Sequence, residues 1–176
     1  MLQRARNIVS DERGNATVDF AFLLPIMLML FVGVVEVTNL LRLDRKVVAA
    51  AQTTADLVTQ RRVVSDAQLD DFLRAAELIF EPFPPSSVTV GIAGVRFNPD
   101  SGDAEVTWTK SKNGGSVPAA LTVAEGLGEK GEGVVVVRVT YNYQPVFFDF
   151  ILSATEIEQT AVLRPRRSQF VQGPGS

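Results

Sequence analysis

A chain of 176 residues leaves room for one small domain once a long apolar segment is set aside. With 17 basic and 20 acidic residues, a net charge of −3 and no basic block, it carries no electrostatic footprint for nucleic acid. It has no Cys and no His, which excludes disulfides, thiolate metal sites and every Ser-His-Asp or Cys-His arrangement. A carboxylate pair is still available for catalysis, but the acids show no informative spacing, so the expectation is a non-enzyme without cofactor or metal.

Residues 1–14 form a polar leader with Arg4, Arg6 and Arg13. An apolar run follows, and Phe20 to Val35 contains no charge and no hydrogen-bonding side chain. With Ala16 to Val18 and Val37 added, about 20 apolar positions are available, enough for a helix to cross roughly 30 Å of hydrocarbon. Leu, Ile, Phe and Val dominate this stretch, and each favours insertion by roughly 0.3–0.6 kcal/mol near the bilayer centre. Asp19 and Glu36 stand at its two ends, where headgroups and water are expected to reach them. The segment 15–37 is read as a transmembrane helix. A secretory signal fits less well, because the run is too long and no small-x-small site follows Val37. Lys and Arg number three on each flank, so charge alone does not choose the topology. Pro25 removes one backbone hydrogen bond and is a possible kink. Gly33 has no partner at four-residue spacing, so there is no Gly-x-x-x-Gly motif.

The stretch Glu12-Arg13-Gly14-Asn15-Ala16-Thr17-Val18-Asp19-Phe20-Ala21 resembles the Arg-Gly-x-x-x-Val-Glu-Phe-Ala signature of TadE-like pseudopilins, from the tight-adherence pilus assembly systems of bacteria. The resemblance implies cleavage by a prepilin peptidase between Gly14 and Asn15. It also implies an assembly role for the fifth mature residue, here Asp19 where the family has Glu, and for Phe20 after it. The N-terminus would lie in the cytoplasm and the C-terminal domain in the periplasm. The expected partners are the peptidase, other pilins and pseudopilins, an inner-membrane assembly platform and membrane lipid, with no nucleic acid.

Such a cut would bare an α-amine on Asn15, charged at neutral pH. Helices packed side by side would bury that charge, which is costly unless it is paired. A carboxylate one turn along, at Asp19, can pair with it within one chain or between chains. The plainer reading is that Asp19 marks the cytoplasmic edge of an anchor.

Periodicity extends the helix through 38–60, with an apolar stripe of Val37, Leu40, Leu41, Val47, Val48, Ala51, Ala55 and Val58. This stripe is expected to close the domain core; the small residues Ala49 to Ala51 and Ala55 alternatively suit a contact with another subunit. Ser65-Asp66-Ala67-Gln68 reads as a capping box opening a second helix, whose apolar face includes Leu69, Phe72, Leu73, Ala76, Ile79 and Phe80. Pro82, Pro84 and Pro85 end it.

The period then changes to alternation. Val88, Val90 and Ile92 begin a strand, Gly94 marks a bulge, and Asn98 to Asp103 turn the chain. Ala104, Val106 and Trp108 are expected on one face of the returning strand. Asp100, Asp103 and Glu105 lack the calcium-loop spacing and read as a solvated turn. Residues 111–132 are loop-like, with a helical turn between Pro118 and Glu125. Gly126 to Gly131 matches a nucleotide fingerprint by letter only, because a strand rather than a helix follows. In the strand from Gly133 to Tyr143, Val135, Val137, Val139, Tyr141 and Tyr143 share one face. A last strand runs from about Thr155 to Arg164. The Tyr-x-Tyr-x-Pro and Arg-Pro elements here also resemble the C-terminal part of TadE-like proteins. The fold class is α+β: a long N-terminal membrane-spanning helix, one further helix and an antiparallel sheet of about four strands in the periplasmic domain 61–168.

Between the last two strands lies Pro145 to Leu152, apolar apart from Asp149. It folds over the sheet or the long helix, or else Phe147, Phe148, Phe150 and Ile151 form a docking patch for another pilin subunit or the membrane. Residues 169–176 read as a flexible, solvated tail. The function expected from the resemblance is a minor pilin or pseudopilin of a type IVb pilus for adherence. The alternative is a single-pass inner-membrane protein with a periplasmic binding module unrelated to pili.

Overall fold

The computed structural model of the chain describes residues 13–145 and 154–175. Helix α1, Arg13–Thr59, has 47 residues and so extends about 70 Å. Pro25 lies inside it, and the helix runs on to Thr59. Its two halves meet different surroundings. From Val18 to Val34 most large apolar side chains are exposed, and none of the most apolar window is buried. From Glu36 onward, Leu43, Val47, Ala50, Ala51, Ala55 and Val58 are fully buried at steps of three and four residues.

That stripe differs from the expected one by its phase next to the exposed half of the helix. It runs through Glu36, Leu40 and Leu43, and leaves Val37 and Leu41 exposed. The small residues have a partner within the chain. Ala50, Ala51 and Ala55 are buried in the domain's own core, so they are not free for another subunit, whereas Ala49 is exposed.

Helix α2, Asp66–Leu78, begins with the expected capping box: the Gln68 amide donates to Ser65 Oγ and the Ser65 amide to Gln68 Oε1. It buries Leu69, Leu73 and Ala76. Beyond its far end, Lys46 of α1 donates to the carbonyls of Ile79 at 2.6 Å and Glu81 at 2.8 Å. Carbonyls left over at a helix end thereby gain a cationic donor.

A short 3-10 turn, Pro85–Ser87, leads into the sheet. Its strands are β1 (Val88–Phe97), β2 (Ala104–Lys112), β3 (Gly133–Tyr143) and β4 (Thr155–Leu163). They lie in the order β2-β1-β3-β4, every neighbouring pair antiparallel. A five-residue helix α3, Ala120–Ala124, sits in the connection between β2 and β3.

One face of the sheet packs on α1 and α2 through Val90, Ile92, Val135, Val137, Val139, Tyr141 and Tyr143. Phe80 stacks on Tyr141 with ring centroids 5.5 Å apart, and Phe83 meets the same ring edge-on. The opposite face carries a second cluster: Ala93, Val95, Phe97, Val134 and Val136 under Ala120 and Ala124 of α3. β3 is therefore covered on both faces along its Val run, and each fully buried Val contributes about 1.5–3 kcal/mol.

The bulge expected at Gly94 is present, as a register shift between Gly94 and Val95 that leaves Thr107 as the extra residue on β2. It corrects the predicted facing of that strand. Ala104 packs in the α3 cluster, whereas Trp108 enters the α1 cluster, because one extra residue reverses the alternation.

The C-terminal stretch also departs from expectation. The Gly133 amide donates to Gln169 O at 2.8 Å, and Gln172 forms a parallel bridge with Val63. Val171 is buried, and Trp108 Nε1 donates to its carbonyl at 2.9 Å. A Cβ at Gly94 would stand 2.2 Å from the Trp108 ring and one at Gly173 would stand 2.1 Å from it. The indole is thus held between two glycines, and the expected tail is a packed strap, with an apolar Val171 and an amide ladder to hold it.

Candidate functional site

The segment singled out by the sequence lies in the free half of α1. Gly14 and Asn15 fall within the first turn of the helix. Asp19 is exposed, and Phe20 is 58% exposed. Asn15 precedes Asp19 by four residues, about one helical turn. Phe22, Ile26, Met27, Leu30 and Phe31 continue the exposed apolar surface. An apolar area of this size is costly in water, where roughly 25 cal/mol is lost per Å² left exposed. It is suited to hydrocarbon or to other helices.

The structure places the second carboxylate differently from expectation. Glu36 was expected to meet headgroups and water, but it is 1% exposed. It sits on the stripe that faces the sheet, and the Tyr143 hydroxyl donates to its Oε1. Burial pushes the Tyr143 phenol above its ordinary value, and the neighbouring Glu36 carboxylate raises it further. An apolar recess of about 80 Å³ lies at this joint, lined by Glu36, Val37, Leu40, Tyr143, Pro145 and Thr155. The neighbouring recess, about 240 Å³, runs between Asn39, Phe83 and the end of β3.

Phe147, Phe148, Phe150 and Ile151 lie outside the described residues. The residues flanking that segment, Pro145 and Thr155, both line the recess at Glu36. The joint itself had a sequence signal: Glu36 is four residues before Leu40 and seven before Leu43, in phase with the buried stripe.

Asp100, Asp103 and Glu105 stand around a turn organised by Asn98, whose Oδ1 accepts from the amides of Asp100 and Ser101. Gly126 to Gly131 leads straight into β3, and the Gly131 amide donates to Phe97 O. Among the described residues no group of three acids gathers as a metal site.

Fold and exposed segment together define a class: an α+β domain built on the distal half of one long helix, whose N-terminal half fits a single membrane anchor. Residues 14–56 match the family model described as TadE-like protein. The match spans the signature, the apolar segment and most of the domain-facing half of α1, and makes this segment TadE-like. It ends within α1, so the sheet lies outside it. No curated protein and no solved structure gave a match.

Proposed function

We propose that this chain is a minor pilin or pseudopilin that takes part in assembling a tight-adherence pilus. The observation that carries this is the coincidence of the TadE-like segment with the bare half of α1. A prepilin peptidase cuts between Gly14 and Asn15 on the cytoplasmic side, and the helix stays in the inner membrane with the sheet domain in the periplasm. The new amine on Asn15 pairs with Asp19, in the same chain or in a neighbour, when helices pack together. Phe20 follows it on the exposed surface. The contribution to assembly is helix packing against other pilins and the inner-membrane platform rather than chemical catalysis.

Both flanks of the Phe147 to Ile151 segment emerge beside Glu36, close to where the apolar half of α1 begins. The test of the whole reading is mass spectrometry of the mature N-terminus in protein extracted from bacterial membranes. A chain beginning at Asn15 is the expected result. A chain that keeps Met1 points instead to a single-pass protein with a periplasmic binding module.

A further inference from the structure

The end of the domain farthest from the exposed half of α1 gathers arginines. Arg61 and Arg62 follow the helix, and the strap returns beside them: the Arg166 amide donates to Thr59 O, and the Gln172 amide to Arg62 O. Arg164 and Arg167 flank Arg166 in sequence. Two of these five already hold carboxylates, Arg166 on Asp56 at 2.6 Å and Arg164 on Glu132 at 3.7 Å. The nearby acids Asp66 and Asp70 are engaged by Lys110, at 3.1 Å each. Arg61, Arg62 and Arg167 are exposed and have no ion pair among the described residues. Val63, next to Arg62 in sequence and 59% exposed, stands on the bridge to Gln172, and the part-exposed Phe170 lies two residues along the strap under Arg96.

We propose that this arginine-rimmed tip is a docking surface for a carboxylate-rich face of another protein. Two features set the occupant. From Glu36 to Gln60 the helix rises about 36 Å, several times the roughly 8 Å over which charge acts at physiological salt. The headgroups of the bilayer that holds α1 are therefore out of reach. An exposed apolar Val63 at the same end of the domain as these arginines is the make-up of a protein interface, in which Arg is enriched and lysine depleted. Carboxylates are also the groups that Arg164 and Arg166 already bind within the chain.

The test uses the full chain in the cells that produce it, with a photo-reactive amino acid at position 63 and, separately, at 172. The expected result is an adduct to one other protein whose contact peptide is rich in Asp and Glu. Its yield should fall at least tenfold in the triple variant R61E/R62E/R167E. An unchanged thermal transition of that variant shows that the domain is intact, and R61Q/R62Q/R167Q replaces it if the reversal disturbs folding. An adduct only to lipid, to glycan or to a second copy of this chain overturns the proposal. So does the absence of any adduct, or a yield indifferent to both triple variants.

Discussion

Tyr143 and Glu36, separated by 107 positions in the chain, are joined by a buried hydrogen bond at the point where the exposed half of α1 gives way to the domain. The last residue of β3 is thereby fixed to the helix where its apolar half ends. Helix and sheet share one core beyond this point, so the domain is built directly onto the distal half of α1.

Tyr143→Phe removes the donor and leaves a buried carboxylate with one partner fewer. The expected cost is about 1–3 kcal/mol, read as a lower thermal transition of the full chain in detergent. Glu36→Gln, which still accepts from the hydroxyl, should cost less. The pH dependence has a definite sign. The phenol titrates higher in the folded chain than its ordinary value near 10. Its contribution is thus complete below pH 10 and is lost as pH rises from there toward the folded-state value. The gap in stability between wild type and Tyr143→Phe should narrow in that alkaline window and stay constant at neutral pH.

Asp19→Ala tests the pairing role. Asp19 is exposed and touches nothing in the domain core. Its loss should move the domain's thermal transition by less than about 0.5 kcal/mol equivalent. Membrane fractionation and an N-terminus at Asn15 are expected to be unchanged, while pilus number falls sharply. Asp19→Glu, which keeps the charge and adds one methylene, should restore it. Normal piliation in Asp19→Ala would remove the pairing from the mechanism.

How far the sequence carried depends on the range of each interaction. The alternation of Val135 to Tyr143, the Ser65–Gln68 box and the bulge at Gly94 are local patterns, and each is present. The side on which Trp108 falls was misjudged because one unpaired residue, Thr107, reverses a period of two, and no periodicity within β2 reveals where it lies. Burial of Glu36 depends on Tyr143, and docking of the strap on Trp108 Nε1, 63 residues from Val171. The phase of Glu36 with Leu40 and Leu43 was a local trace of the first, but the partner in each case lies too far along the chain to be read. In the candidate segment, Asp19 and Phe20 were legible only through the resemblance; the structure adds that their helical surface is bare.

Ser65→Ala removes the side-chain half of the capping box. The loss expected for an N-cap of this kind is about 1 kcal/mol, measurable by chemical denaturation. Gln68→Ala should cost less, because the Ser65 hydroxyl still accepts from the residue 68 amide, at 3.3 Å.

Truncation after Ser168 distinguishes a solvated tail from a packed strap. A solvated tail could be removed without consequence. Here the cut exposes the pocket of Val171, worth about 1.5–3 kcal/mol for a fully buried aliphatic side chain. It also strips the acceptor from Trp108 Nε1, a further loss of about 1–3 kcal/mol where the donor stays buried. The Gly133 amide loses Gln169 O as well. The expected result is a drop of several kcal/mol in denaturant stability together with a red shift of the single Trp fluorescence. Gly173→Val should reproduce much of this at full length, because its Cβ would enter the indole ring rather than a flexible side chain. If truncation leaves both stability and the emission maximum unchanged, the strap does not hold the indole in solution.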